Sequence, residues 1–172
     1  MHFLENIIRA IITSGIIAIP FKDTPKPTGE YKVGTKSIEL VDKNRLEWFT
    51  DVEQDDFRRI VVQLWYPTDS NKGEKAKYID HGQNRINTLA EQFNYNSRLF
   101  RKLPKVQTNS IYNASFYDAK FPLLIFSHGL GGNRTQNTIM IEELASHGYV
   151  IIAVEHAYDA NISIFNNGPK KK

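Results

Sequence analysis

Cysteine is absent from all 172 residues of the sequence. Its absence excludes disulfide bonds, structural zinc sites built from cysteine and a thiol nucleophile, and it leaves the redox compartment open. A strong excess of one charge is also missing, because the net charge of +3 is too small to indicate a nucleic-acid partner. No internal repeat is visible either.

Hydrophobic runs long enough to cross a membrane are missing as well. Residues 1–22 form an apolar N-terminal segment, but its uninterrupted part, residues 10–19, is about half as long as a membrane span. The segment fits a signal-peptide core, a membrane or interfacial anchor, or a helix packed on the domain. Contact with a membrane surface is therefore one prediction, and a membrane-associated or exported location is favoured slightly over the cytoplasm.

A linker and one folded domain are predicted next. Residues 23–30 contain prolines and a glycine, which is typical of a linker, so the domain is assigned to residues 31–172. Residues 35–41 alternate between apolar and polar positions, and residues 59–66 are mostly apolar. These stretches predict an antiparallel pair of strands at the sheet edge.

An insertion follows the second strand. After a polar loop, helical spacing appears at Ile86, Leu89, Ala90 and Phe93. The insertion either forms a lid over an acyl pocket or packs on the domain, and packing is favoured. Three later aromatic residues are also assigned to core packing: Tyr112, Phe116 and Tyr117.

Residues 121–132 are the most informative segment and read Phe-Pro-Leu-Leu-Ile-Phe-Ser-His-Gly-Leu-Gly-Gly. The short apolar run at residues 123–126 predicts a strand covered on both faces. Gly129, Gly131 and Gly132 permit positive φ angles, so that consecutive backbone N–H groups can turn toward one point. A negative oxygen could be held at that point.

A helix and a second buried strand are predicted after the turn, at residues 133–147 and 149–154. Strand, helix and strand together form a βαβ unit with a right-handed crossover. Glu155 and His156, at the end of the second strand, are expected at the same sheet edge as His128. The helix is expected to pack through Ile139, Met140 and Leu144 and to leave Glu142 and Glu143 in solvent.

Five segments in order carry a resemblance to a known family. They are Thr-Gly-Glu-Tyr-Lys-Val-Gly at 28–34, Val-Gln-Leu-Trp-Tyr-Pro at 62–67, Ser-His-Gly-Leu-Gly-Gly at 127–132 followed by Arg134 and Thr135, Ala-Ser-His-Gly-Tyr at 145–149 and Ala-Val-Glu-His at 153–156. A lone His-Gly-x-Gly is a weak signal, since many esterases contain it, but the five together are specific. From residue 27 to residue 156 the chain resembles the platelet-activating factor acetylhydrolase family of α/β-hydrolases.

The resemblance implies an α/β-hydrolase that cleaves a carboxylic ester, such as a short acyl chain on a phospholipid. It implies that the Leu130 N–H is one donor of the oxyanion hole and that His128 and Gly129 shape the turn. No cofactor and no metal are implied.

The nucleophile of that fold is not found in this sequence. α/β-Hydrolases place the serine in Gly-x-Ser-x-Gly, and no serine here has the flanking glycines. The chain is therefore interpreted as the N-terminal portion of the fold, consisting of antiparallel edge strands followed by a βαβ unit, cut short. By itself it is expected to lack esterase activity.

Other function classes stay open at this point. Residues 129–134 nearly fit the dinucleotide-binding motif Gly-x-Gly-x-x-Gly, and Glu155 sits where a ribose-binding acid would be, although Arg134 replaces the third glycine. A non-catalytic interaction module is the third class. A metal site would need His128, Glu155 and His156 together, whereas the resemblance implies that these positions stiffen the site without a metal.

Overall fold

A mixed β-sheet with two helices is formed by the residues that the computed structural model describes, which are 23–49, 56–165 and 168–170. The apolar segment 1–22 lies outside them. Two 3-10 turns, Ser97–Phe100 and Leu103–Lys105, follow the first helix. The elements are β1 (Lys32–Leu46), β2 (Phe57–Thr68), β3 (Lys75–Lys77), α1 (Gln83–Phe93), β4 (Gln107–Tyr112), β5 (Leu123–Ser127), α2 (Thr138–Ser146), β6 (Val150–Glu155), β7 (Ser163–Phe165) and β8 (Gly168–Lys170).

The main sheet has the strand order β3-β4-β1-β2-β6-β5, and β7 and β8 form a separate pair. β1 and β2 are antiparallel, as the alternating pattern predicts. They lie inside the sheet rather than at its edge, because β4 adds parallel to β1 and β3 adds to β4. The sequence of β4 is polar, and its strand character was therefore not recognised.

The predicted βαβ unit is present as β5, α2 and β6. β5 and β6 are parallel and in continuous register from Leu123↔Val150 to Ser127↔Val154. Helix α2 begins later than predicted, since turns occupy the residues between the glycine turn and Thr138. The unit packs on β1 and β2 through a core that contains Val33, Trp65, Ile141, Ala145, Ile151 and Ala153.

The buried face of α2 differs from the predicted one. Ile139 and Met140 are exposed, whereas Glu142 is fully buried. Its carboxylate accepts hydrogen bonds from the Ser110 N–H at 2.7 Å and from the Thr24 hydroxyl at 3.1 Å. Because these donors compensate for the lost water, a carboxylate can occupy a position that hydrophobicity alone assigns to solvent.

The stretch interpreted as a linker lies against α2. The Gly29 N–H donates to Ser146 Oγ at 3.0 Å, and the Tyr31 N–H donates to the Ser146 carbonyl at 3.0 Å. A Cβ atom on Gly29 would lie 2.2 Å from that carbonyl oxygen. Glycine is therefore required here by the close approach of two backbones.

The insertion has a small core of its own, in which Ile86 of α1 is buried with Ile79 and Leu103. Arg85 of α1 joins it to the rest of the domain by donating to the Ile162 carbonyl at 3.0 Å. The three aromatic residues assigned to the core are exposed instead: Tyr112, Phe116 and Tyr117. Within the described part of the chain, no helix is both long enough and apolar enough to cross a membrane.

β5 is the last strand of the described sheet and is not covered on both faces, contrary to the prediction. Leu123 and Leu124 are exposed, and Ile125 keeps 73% of its surface accessible. β5 hydrogen-bonds to β6 on one side, and no described strand pairs with its other side. An apolar strand with a free edge favours association between molecules.

We expect the isolated 172-residue chain to self-associate through β5, and Ile125→Lys to reduce this association because a charge on an edge strand opposes strand pairing. Sedimentation velocity at several concentrations measures it. Val41→Lys, which places the same charge on an exposed position of the paired strand β1, is the control. A monomeric wild-type chain that unfolds cooperatively without detergent would contradict this expectation.

Candidate active site

The glycine turn begins directly after β5. The Gly132 N–H donates to the Gly129 carbonyl at 2.8 Å, and the Gly131 N–H donates to the Asp159 carbonyl at 2.8 Å. All three glycines permit a positive φ, but only Gly131 adopts one, at 72°. Gly132 is needed for another reason, since a Cβ there would lie 2.9 Å from the Gly129 oxygen.

His128 fixes the middle of this turn with both ring nitrogens. Its Nε2 lies 3.1 Å from the backbone N–H of His156, and its Nδ1 lies 2.8 Å from the Gly129 carbonyl oxygen. A backbone N–H can only donate, so Nε2 accepts. The proton of the neutral ring is therefore on Nδ1, where it donates to the Gly129 carbonyl.

This arrangement sets the direction of the Leu130 N–H. The Gly129 carbonyl accepts from both His128 and Gly132, and in a trans peptide the following N–H points the opposite way. No hydrogen bond joins the Leu130 N–H to an acceptor among the described residues, and Leu130 is 80% exposed. The turn therefore presents the Leu130 N–H as a donor that the described part of the protein does not use.

His156 lies beside His128, as predicted, with ring centroids 4.9 Å apart. Its Nε2 is 2.7 Å from the Ser127 hydroxyl in an exposed pair. Glu155 is fully buried and bound by arginines, away from this pair. Across the described ranges, no group of three or more metal-binding side chains is arranged to hold a metal ion.

Beneath the turn, two arginines and two carboxylates form a charge cluster consisting of Asp80, Arg85, Arg134 and Glu155. Arg85 Nη2 donates to both oxygens of Glu155, at 3.0 and 2.8 Å. Arg134 Nη1 binds Glu155 and its Nη2 binds Asp80. The cluster joins α1, the end of β6 and the segment that follows the glycine turn.

Burial and charge act in opposite directions on Asp80. Desolvation favours the neutral acid, but the guanidinium groups of Arg134 and Arg85 outweigh it and hold the pKa of Asp80 below its ordinary value. Burial likewise opposes the charge of Arg85, and the two carboxylates outweigh that effect and raise its pKa. Asp80 and Arg85 are therefore charged at neutral pH.

Sequence reasoning missed Arg85 and Asp80, and it used Arg134 as part of the family resemblance and as a departure from a glycine motif, without assigning it a charge partner. A buried arginine gives no periodic signal, so its partners could not be inferred from one sequence. The cluster also argues against a dinucleotide site, because guanidinium groups occupy both oxygens of Glu155 and leave neither for a ribose.

A cleft of about 550 Å³ opens beside the turn. Helix α1 forms one wall, and the segment after β6 forms another. The lining residues are Thr88, Glu91, Gln92, Leu130, Gly131, Ala160 and Asn161. The unused N–H is thus on a residue that lines a cleft large enough for a small organic group.

Comparison with known proteins gives consistent matches. A family model for platelet-activating factor acetylhydrolase, isoform II, matches residues 16–170. A platelet-activating factor acetylhydrolase of Cavia porcellus is 32% identical over 153 residues, covering 84% of this chain and 32% of that protein. A putative phospholipase A2 of Schizosaccharomyces pombe is 28% identical over 147 residues, covering 78% of this chain and 33% of that protein.

A solved structure also matches. A ferulic acid esterase from Streptomyces cinnamoneus has a TM-score of 0.70 and 28% identity, covering 87% of this chain and 40% of that chain. This likeness confirms the predicted α/β-hydrolase fold class. The chain spans about a third of the length of the curated relatives described above.

The glycines of the turn should differ in their tolerance of alanine. Gly131→Ala should cost about 1–2 kcal/mol of stability, because it forces a side chain into the left-handed region. Gly132→Ala should also destabilise, since its Cβ meets a backbone oxygen. Gly129→Ala is the control and should be nearly neutral, because nothing lies within 4 Å of its Cβ position. Urea unfolding measures all three, and a Gly129→Ala variant less stable than the other two would contradict this description of the turn.

The charge cluster should make the free energy of unfolding depend on pH in the acid range. A carboxylate with a lowered folded-state pKa contributes stability that is present above its ordinary pKa of about 3.9 and is lost as the pH falls through the lower folded value. Asp80→Asn should therefore lower stability at pH 7 and flatten the decline in unfolding free energy below about pH 4. Urea unfolding between pH 7 and pH 2 tests this. If the free energy of unfolding declines equally steeply below about pH 4 in the variant and the wild type, the decline comes from groups other than Asp80.

Proposed function

The chain belongs to the platelet-activating factor acetylhydrolase family, and we propose that it forms part of a carboxylic ester hydrolase in which the Leu130 N–H stabilises the oxyanion. The observation that carries the proposal is the double hydrogen bond to the Gly129 carbonyl, which turns the Leu130 N–H away from the protein. His128 and Gly129 shape the turn. The names of the similar proteins, an acetylhydrolase, a phospholipase A2 and an esterase, support ester hydrolysis.

The proposed reaction is acyl transfer to a serine. The serine hydroxyl attacks the ester carbonyl while a histidine, oriented by an acid, takes its proton. The carbonyl oxygen becomes negative in the tetrahedral intermediate, where the Leu130 N–H and one further amide donate to it. The intermediate then collapses, the alcohol leaves with the proton, and water later hydrolyses the acyl-enzyme. The serine belongs to a Gly-x-Ser-x-Gly motif that these 172 residues do not contain.

The charge cluster supports this role by positioning the turn. Arg134 follows the turn closely, and its guanidinium group is held by Asp80, Glu155 and Gln63. An oxyanion donor is effective when it is already oriented before the charge develops, because no reorganisation is then required. The cluster fixes the end of the turn in the way that His128 fixes its middle. For the substrate, we propose an ester with a short acyl chain, on a phospholipid or another alcohol.

The test is a pair of substitutions at Leu130 in an enzyme that contains this chain together with a Gly-x-Ser-x-Gly motif. Leu130→Pro removes the N–H and should lower kcat about 100- to 1000-fold, the usual effect of losing one oxyanion donor. Leu130→Ala keeps the N–H and should retain most of the activity. Hydrolysis of a short-chain p-nitrophenyl ester measures both.

Proline also restricts the backbone of the turn, so the comparison is made only with protein whose circular dichroism and unfolding midpoint match the wild type. Near-normal kcat in folded Leu130→Pro enzyme would show that this N–H does not bind the oxyanion. A large loss in Leu130→Ala would instead assign the role to the side chain.

A further inference from the structure

Three apolar side chains at the end of the β1–β2 hairpin are strongly exposed. Leu46, Trp48 and Phe49, here called the aromatic tip, have 60%, 83% and 62% of their surfaces accessible. Single exposed apolar residues are common, but a cluster that contains two aromatic rings marks an interaction surface. The rings of Trp48 and Phe49 contact each other, with centroids 5.5 Å apart.

The aromatic tip is held in a fixed arrangement. The buried carboxylate of Glu47 accepts from the backbone N–H groups of Trp48 and Phe49, at 3.1 and 3.3 Å. Phe49 stacks on Tyr158 at 4.8 Å, and the Arg58 guanidinium lies over the rings of both. The exposed side chains are thus presented by a hydrogen-bonded support.

The aromatic tip lies at the same edge of the sheet as the glycine turn. β2 runs antiparallel to β6 with Val61 opposite Glu155, so the start of β2 lies beyond the end of β6. Tyr158, which supports the tip, precedes Asp159, whose carbonyl accepts the Gly131 N–H. A surface to which the aromatic tip binds therefore lies next to the edge of the sheet that carries Leu130.

In the described ranges next to the tip, residues 42–49 and 56–59, three of the four basic side chains are paired with carboxylates. Asp42 pairs with Arg45, and Glu47 pairs with Arg58. Anionic membranes are recognised by clusters of four or more basic residues, and the described residues next to the tip do not form such a cluster of unpaired basic side chains. Tryptophan and phenylalanine, in contrast, favour the boundary between lipid headgroups and acyl chains.

We propose that the aromatic tip docks on the surface of a lipid aggregate with zwitterionic headgroups and so presents the glycine turn to ester substrate within it. The delivery of substrate rests on the proposed function, whereas the docking itself does not. The aromatic tip is separate in sequence from the apolar segment 1–22. Its docking can be measured through a reporter that lies within the tip.

Tryptophan fluorescence provides that reporter, because the chain has two tryptophans, one in the tip and one, Trp65, that is only 1% exposed. Vesicles of phosphatidylcholine should shift the emission of the full chain to the blue, and bromine atoms on the upper acyl carbons should quench it. In Trp48→Phe, which keeps an aromatic ring in the tip, Trp65 should remain unshifted and unquenched. Equal quenching in this variant, or no shift in the wild type, would overturn the proposal.

Flotation with the same vesicles measures the contribution of the side chains. Leu46→Ser together with Phe49→Ser should lower partitioning about tenfold or more, because two apolar side chains then no longer leave water. Leu46→Ser alone, which keeps the Phe49–Tyr158 stack, should give a smaller loss in the same direction. The matched control is Phe93→Ser, which removes an exposed ring from α1 and should change partitioning less than about twofold.

Two outcomes would overturn the proposal: unchanged partitioning in the double variant with a wild-type unfolding midpoint, or binding that requires phosphatidylserine and disappears in salt. None of these measurements depends on hydrolysis. Docking without ester hydrolysis by the complete enzyme would therefore refute the proposed function alone, and hydrolysis without docking would refute only this inference.

Discussion

Arg85 and Arg134 are both fully buried, and neither could leave water as a cation without the carboxylates of Asp80 and Glu155. Each of the four groups makes the burial of the others tolerable, so the set behaves as a unit. Removing a single partner from such a set leaves an uncompensated charge, which typically costs about 3–5 kcal/mol. The position of α1 beside the end of β6 and the path of the chain after the glycine turn both depend on this balance.

The glycine turn is consequently fixed from three directions. β5 determines where it begins, the charge cluster holds Arg134 where it ends, and His128 bridges its middle to the backbone of His156. Each contact uses a polar group that would otherwise be unpaired. The Leu130 N–H is left without a partner among the described residues and is directed outward, so the reactivity proposed for the site arises from a donor that the fold does not satisfy.

Hydrophobic periodicity and the geometry of strands were sufficient to predict three features of the structure. The β5–α2–β6 unit, the antiparallel pairing of β1 with β2 and the meeting of His128 with His156 all follow from periodicity and from the geometry of parallel strands. The five-segment resemblance correctly identified the family and the fold class. The role of Leu130 comes from that resemblance and stays a prediction.

The errors occur where polar side chains are buried by distant partners. Hydrophobicity placed Ile139 in the core and Glu142 in solvent, but Glu142 is compensated by Ser110 and Thr24, which no local pattern connects to it. The polar strand β4 and the charge cluster were missed for the same reason. The error for β5 has a different origin. Its apolar sequence is typical of a strand covered on both faces, whereas among the described residues no strand pairs with its outer edge.

The Glu142 carboxylate has a kinetic consequence. Its partner Thr24 is 118 positions away in the chain and its partner Ser110 is 32 away, whereas β1 and β2 are joined by a short connection. The hairpin can thus form early in folding, while the Glu142 contacts require closure of much longer loops and form late. In the reverse direction, the strand-like segment around Thr24 should detach first, which would expose the Thr24 amide, a donor to the Gln107 carbonyl, to hydrogen exchange while the β1–β2 ladder remains protected.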